Sequence, residues 1–304
     1  MPQQAGEGIV LGAGLHGGED KTVGLVQGVD LPYVLPHIFH PEAVEAGVRF
    51  FGERELGRHF PPWPGNDPED QAAARAEAIL DAYPHFLGFD LHDFNAKRGS
   101  YVFCSDRVLP ETLGATILLG MSRVVMMPSY PLYVRYPKMV ALDIARGQKS
   151  LLRPEYWQQV LEDMYTLGVN GLRRVYEAKK DTLNFFMKVQ IPRVTPAGVL
   201  DPERYAFVRD HLEGLPISRR DAQAAFSPIS LPEPAAQALG IAGREVRIEC
   251  WGDQNGSPLL PGEEKRRRYF GALFVRTPPP VFDPETGGLV FSAEREPLIA
   301  RQAE

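Results

Sequence analysis

The chain has 304 residues, 44% of them hydrophobic and 24% charged, with a formal net charge of −6. It can bury a sizeable core, and it is too hydrophobic and too weakly charged to be disordered. The acidic balance argues against a general nucleic-acid binder, and base-specific contacts to nucleic acid are not expected. Two cysteines, Cys104 and Cys250, make neither a disulfide framework nor a metal knuckle. No apolar run reaches the ~20 residues of a membrane helix. Residues 1–7 lack the basic and apolar regions of a signal peptide, so a cytoplasmic protein, or a particle assembled in the cytoplasm, is expected.

In chain order, residues 1–40 are glycine-rich, with strand candidates at 8–11 and 22–29. Pro32 and Pro36 keep their predecessors out of the helical region, so this stretch reads as an extended arm. A helix is predicted from Pro41, with Val44, Val48 and Phe51 on one face. A second is predicted from the N-cap Asp67 and Pro68 to just before Pro84. Residues 100–145 read as β, with strands at 101–104, 116–119, 123–127, 132–136 and 139–144. Pro128, Pro131 and Pro137 then suggest edges and bends.

The clearest element is a helix over about 154–183, with Trp157, Val160, Leu161, Met164, Leu172, Val175 and Tyr176 on one stripe. Gly168 lies on that stripe, which predicts a bend, a break or the close approach of another backbone. A strand at 184–194, a helix from Asp201, a capping box at 218–221 and returning strands at 245–251, 267–276 and 288–292 follow. These elements define an α+β fold. One main domain (41–276) with mostly antiparallel strands is flanked by extended arms at 1–40 and 277–304.

Four constellations could carry chemistry. Gly12, Gly14 and Gly17 match a dinucleotide fingerprint after a short strand, with Asp30 beyond. The following segment is rich in glycine and β-branched residues, so the run reads as an arm, not as the entry to a helix. Six of the seven histidines fall in the first hundred residues. Among them, His37, His40, Asp90 and His92 offer imidazole and carboxylate ligands suited to zinc or iron. Lys265, Arg266, Arg267 and Arg268 read as a solubilising edge strand beside Glu263 and Glu264. No nucleophile elbow or phosphate-binding loop is present, and Cys104 reads as a core thiol.

The order of arm, β region, long helix, mixed region and returning strand resembles the coat-protein fold of tailed phages. That resemblance implies a structural, capsid-like subunit of a large symmetric homo-oligomer. Such a subunit would self-assemble with copies of itself through both arms, or with other assembly subunits, and would need no cofactor. The alternative is a metal-dependent enzyme with zinc or iron held by His37, His40, Asp90 and His92.

Overall fold

The computed structural model describes residues 7–48, 56–62, 67–94, 96–127, 130–189, 194–195, 198–199, 226–238, 241–251, 269–285 and 288–290. The chain forms two compact units. The first comprises Met1–Phe94, Ser100–Asn184 and Pro279–Phe291, and the second Asn95–Gly99, Phe185–Pro278 and Ser292–Glu304.

The first unit alternates strands and helices. It runs β1 (Gly8–Ala13), α1 (Asp20–Gln27), β2 (Val34–Ile38), α2 (Pro41–Ala46), α3 (Pro68–Ala82) and β3 (His85–Phe94). It continues with β4 (Tyr101–Cys104), α4 (Pro110–Leu118), β5 (Arg123–Met126), α5 (Pro131–Arg135), β6 (Met139–Ala145) and α6 (Pro154–Lys179). Its strands lie in the order β5-β4-β6-β3-β1-β2. Strands β2, β1, β3 and β6 are mutually parallel, β4 is antiparallel to β6, and β5 is parallel to β4. All six residues of β1 are buried, as in a parallel strand covered on both faces.

This α/β unit overturns the expected α+β fold with mostly antiparallel strands and an extended N-terminal arm. Three local causes account for the difference. Residues 116–118 and 132–135, expected as strands, lie in α4 and α5. Pro110 and Pro131 open those helices, where a missing N–H costs nothing; read as strand punctuation, such prolines mislead. In α1, Thr22, Val23 and Val26 suggest a strand, but their spacing also puts them with Leu25 on the buried face of a helix, and that burial outweighs propensity. In β3, Asp90, His92 and Asp93 are buried polar residues that conceal a central strand. Val34 and Phe39, within the expected N-terminal arm, are buried within the chain itself.

The long helix α6 buries Trp157, Val160, Leu161, Met164, Leu172 and Tyr176, while Val175 is half-buried. Trp157 donates from Nε1 to the Leu151 carbonyl at 2.8 Å, and its ring meets Phe89 edge-on. Glu162, Asp163, Arg173 and Arg174 are exposed. The close backbone approach is at α4, where a Cβ on Gly114 would lie 2.0 Å from the Leu172 carbonyl oxygen. Gly168 instead breaks the helical path, with φ 58° and ψ −177°.

An alanine or leucine at 168 must adopt a backbone conformation that is essentially glycine's own, at a cost of about 1–3 kcal/mol. The helix-propensity gain from replacing glycine is at most about 1 kcal/mol. Gly168→Ala is therefore expected to lower the melting temperature in thermal unfolding. A higher one would mean that residue 168 rejoins a regular helix.

In the second unit, β7 (Asn184–Val189), β8 (Ser227–Ile229), β9 (Val246–Trp251) and β10 (Tyr269–Thr277) form an antiparallel sheet in the order β8-β9-β10-β7. Phe226 stacks on Phe274 with centroids 4.3 Å apart and meets Phe186 edge-on. The expected helix from Asp201, the capping box at 218–221 and the basic run at 265–268 lie outside the described residues. Within the expected C-terminal arm, residues 281–282 pair antiparallel with 289–290, and residues 291–304 lie outside the described ones. Among the described residues, no helix is long and apolar enough to cross a membrane.

Candidate metal centre

The parallel strands of the first unit all end at one edge of the sheet, the edge where open α/β folds place their sites. Three segments meet there: the loop from β1 to α1, the end of β3 and the end of β6. The loop turns out of the sheet through Gly14, whose φ is 73°. Gly17 then donates its N–H to the Val48 carbonyl at 3.1 Å. A Cβ on Gly17 would lie 1.9 Å from the Ala43 carbonyl oxygen, so only glycine fits. This pins His16 and Glu19, which bracket the glycine pair, beneath the start of α1.

Glu19 Oε1 stands 2.8 Å from His16 Nδ1 and 2.7 Å from His92 Nδ1. The two imidazole rings are 5.1 Å apart. His16, Glu19 and His92 are all buried, and their ligand atoms lie within 4.8 Å of one another. Behind His92, Nε2 is 2.9 Å from Asp90 Oδ2, which also accepts from the Tyr133 hydroxyl at 2.9 Å. Asp90 Oδ1 is buried with no hydrogen-bond partner. Two histidines and one carboxylate form a donor set that suits catalytic zinc. A carboxylate on the far nitrogen of a ligating histidine is the usual outer support of such a site. The residues fit a metal ion, which overturns the expectation of no cofactor.

The electrostatics agree. Burial alone would raise the Glu19 pKa, but His92 and His16 outweigh it and hold it at about 2. Burial alone would lower that of His92, but Asp90 and Glu19 outweigh it and hold the imidazole well above its ordinary range. Metal-free and below its raised pKa, His92 is an imidazolium held beside Glu19.

Glu19 stabilises the fold fully above its ordinary value of 4.5, and the contribution is lost as pH falls towards about 2. His92 stabilises it fully below its ordinary value of 6.5, and the contribution is lost as pH rises through the raised value. The metal-free protein should therefore gain most from this centre between pH 4.5 and 6.5. A ligating imidazole must be neutral, so zinc binding at about pH 6.5 is expected to release a proton. Calorimetry in buffers of differing ionisation enthalpy measures that release, and loading without it would contradict this charge assignment.

Of the four candidate residues named from sequence, Asp90 and His92 are in contact, and only His92 belongs to the three-residue group. His37 sits on β2 in the row His37–Gly12–Asp90, two strands from Asp90, with its pKa lowered by burial. His40 is the N-cap of α2. Its Nδ1 accepts from the Ala43 N–H at 3.4 Å and lies 3.1 Å from Glu42, and its Nε2 lies 3.9 Å from Glu69. In the sequence His16 is only one of six histidines in the first hundred residues, and no motif there singles out Glu19. The available signal was the spacing His16-x-x-Glu19 between a buried strand and a helix. The glycine run is not an arm. It opens a β1–α1–β2 unit after all, and it presents two side chains at its end. Cys104 is buried, as expected of a core thiol.

No protein-family model matches the sequence, and no curated protein matches it significantly. The fold is similar to that of succinylglutamate desuccinylase from Chromobacterium violaceum, with a TM-score of 0.50 and 16% identity over 91% of this chain and 87% of that one. It is likewise similar to succinylglutamate desuccinylase from Vibrio parahaemolyticus, with a TM-score of 0.53 and 16% identity over 96% of this chain and 87% of that one. The fold is thus a mostly parallel α/β fold like theirs, which overturns the expectation of a self-assembling, capsid-like structural protein.

Proposed function

We propose that the chain is a metal-dependent hydrolase that cleaves an acyl–amide bond, with zinc held by His16, Glu19 and His92. The convergence of these three side chains at the carboxyl edge of the parallel strands carries the reading. Bound there, the ion would polarise a carbonyl and lower the pKa of water. Asp90 and Tyr133 hold the His92 ring so that Nδ1 faces Glu19. Asp143 on β6 is in register with His92, so its side chain projects from the same face of the sheet, and it is only partly buried. It is the carboxylate we assign as general base, accepting the proton of the attacking water and passing it to the leaving amine. The acyl–amide assignment draws on the two structural neighbours, whose names denote removal of a succinyl group from an amino acid.

A panel of N-acyl amino acids, including N-succinylglutamate, tests the reading. Hydrolysis of at least one member should vanish when the metal is chelated and return with zinc. A zinc-loaded protein that cleaves none of them would contradict the amide assignment.

A further inference from the structure

Glu19 occupies the N-cap position of α1, yet its side chain makes no capping hydrogen bond to its own helix, because the carboxylate faces His16 and His92. The N–H groups of the first turn still need acceptors. One is supplied from another strand. Asp93, the residue after His92, points to the opposite face of β3, and its fully buried Oδ2 accepts from the Thr22 N–H at 3.2 Å and lies 3.5 Å from the Thr22 hydroxyl. That hydroxyl donates to the Glu19 carbonyl at 3.1 Å. Arg146, just past the end of β6, completes the strap. Its Nε is hydrogen-bonded to Asp93 Oδ1, and its Nη2 donates to the Gly18 carbonyl at 3.0 Å and to Asp20 Oδ1 at 3.2 Å. The residues on either side of Glu19 are thereby tied to the residue after His92.

We propose that Asp93 caps α1 in place of Glu19, and that Asp93 and Arg146 are positioning residues that leave the Glu19 carboxylate available as a ligand. The inference rests on the metal-site reading. A first-turn helix cap satisfied locally by Glu19 would pull its carboxylate away from His92. The borrowed cap removes that competition, and the Arg146 guanidinium neutralises the buried Asp93 charge. Both residues lie outside the three-ligand group, so they act on the metal by positioning its ligands.

The test is zinc affinity by chelator competition, run well below the unfolding temperature, together with hydrogen exchange at the Thr22 amide. Asp93→Ala should weaken zinc binding about 10–100-fold, the usual range for outer-shell partners, and should speed exchange at Thr22. Asp93→Asn keeps an acceptor for the Thr22 N–H and should recover most of both. Arg146→Met, at a half-buried side chain, should weaken binding about tenfold, and Arg146→Lys less. If Asp93→Ala does not fold, the Arg146 pair decides by the same reading. Affinities for Asp93→Ala or, failing that, Arg146→Met within about twofold of wild type would overturn the proposal, and leave the metal site standing. Wild-type protein that binds no zinc would overturn the metal-site reading and the proposal with it.

Discussion

Replacing Glu19 by glutamine is expected to abolish stoichiometric zinc binding and to lower hydrolysis by about a thousandfold or more, the scale of several kcal/mol that a metal supplies to a transition state. The change is nearly isosteric. A glutamine amide oxygen can still accept the His16 N–H that Glu19 Oε2 accepts at 3.3 Å, so the loop should keep its path. What is lost is the charge that draws His16 and His92 together. Asp143→Asn gives the informative contrast. It should leave zinc content unchanged while lowering the rate about 10²–10⁴-fold, the range for losing a general base. Loss of zinc in both variants, or in neither, would mean that the two carboxylates have not been assigned their proper roles.

The two glycines between His16 and Glu19 should respond in opposite ways. A Cβ on Gly17 would lie 1.9 Å from the Ala43 carbonyl oxygen and 2.2 Å from that of Val48, both backbone atoms that cannot rotate aside. A Cβ on Gly18 would meet nothing within 4 Å. Gly17→Ala is therefore expected to destabilise the protein by about 1–3 kcal/mol, the range for overpacking. It should also push His16 off its position and cost zinc affinity. Gly18→Ala should leave both within error of wild type. Chemical denaturation and chelator competition on the pair decide the matter. Equal behaviour of the two variants would mean that the loop does not lie against the Ala43 and Val48 carbonyls.

Some of this was legible in the sequence. The α6 stripe is legible because seven apolar positions repeat over more than five turns, and its one anomaly, Gly168, is the residue that leaves the helical path. Asp90 and His92 were singled out as ligand candidates. Their partners were not, because Glu19 is 73 residues from His92 and only a parallel β1–β3 pairing brings them together. That pairing was hidden at both ends. The β1 loop looked like an arm because its helix contains Thr22, Val23, Gly24 and Val26, and β3 did not look like a core strand because its buried residues include two aspartates and a histidine. The conflict between local pattern and global fold falls at the candidate site, where the proposed metal would require buried charge. His40 lies at the N-cap of α2, a place that a buried histidine beside proline and glutamate suits as well as it suits a ligand.

His16, Glu19 and His92 are proposed to hold one catalytic metal ion. Elemental analysis of protein purified without an affinity tag tests it most directly, with Glu19→Gln and His37→Ala in parallel. One zinc per chain is expected in the wild type, none in Glu19→Gln, and an unchanged content in His37→Ala. Wild-type protein without stoichiometric metal, or zinc retained by Glu19→Gln and lost from His37→Ala, would contradict it.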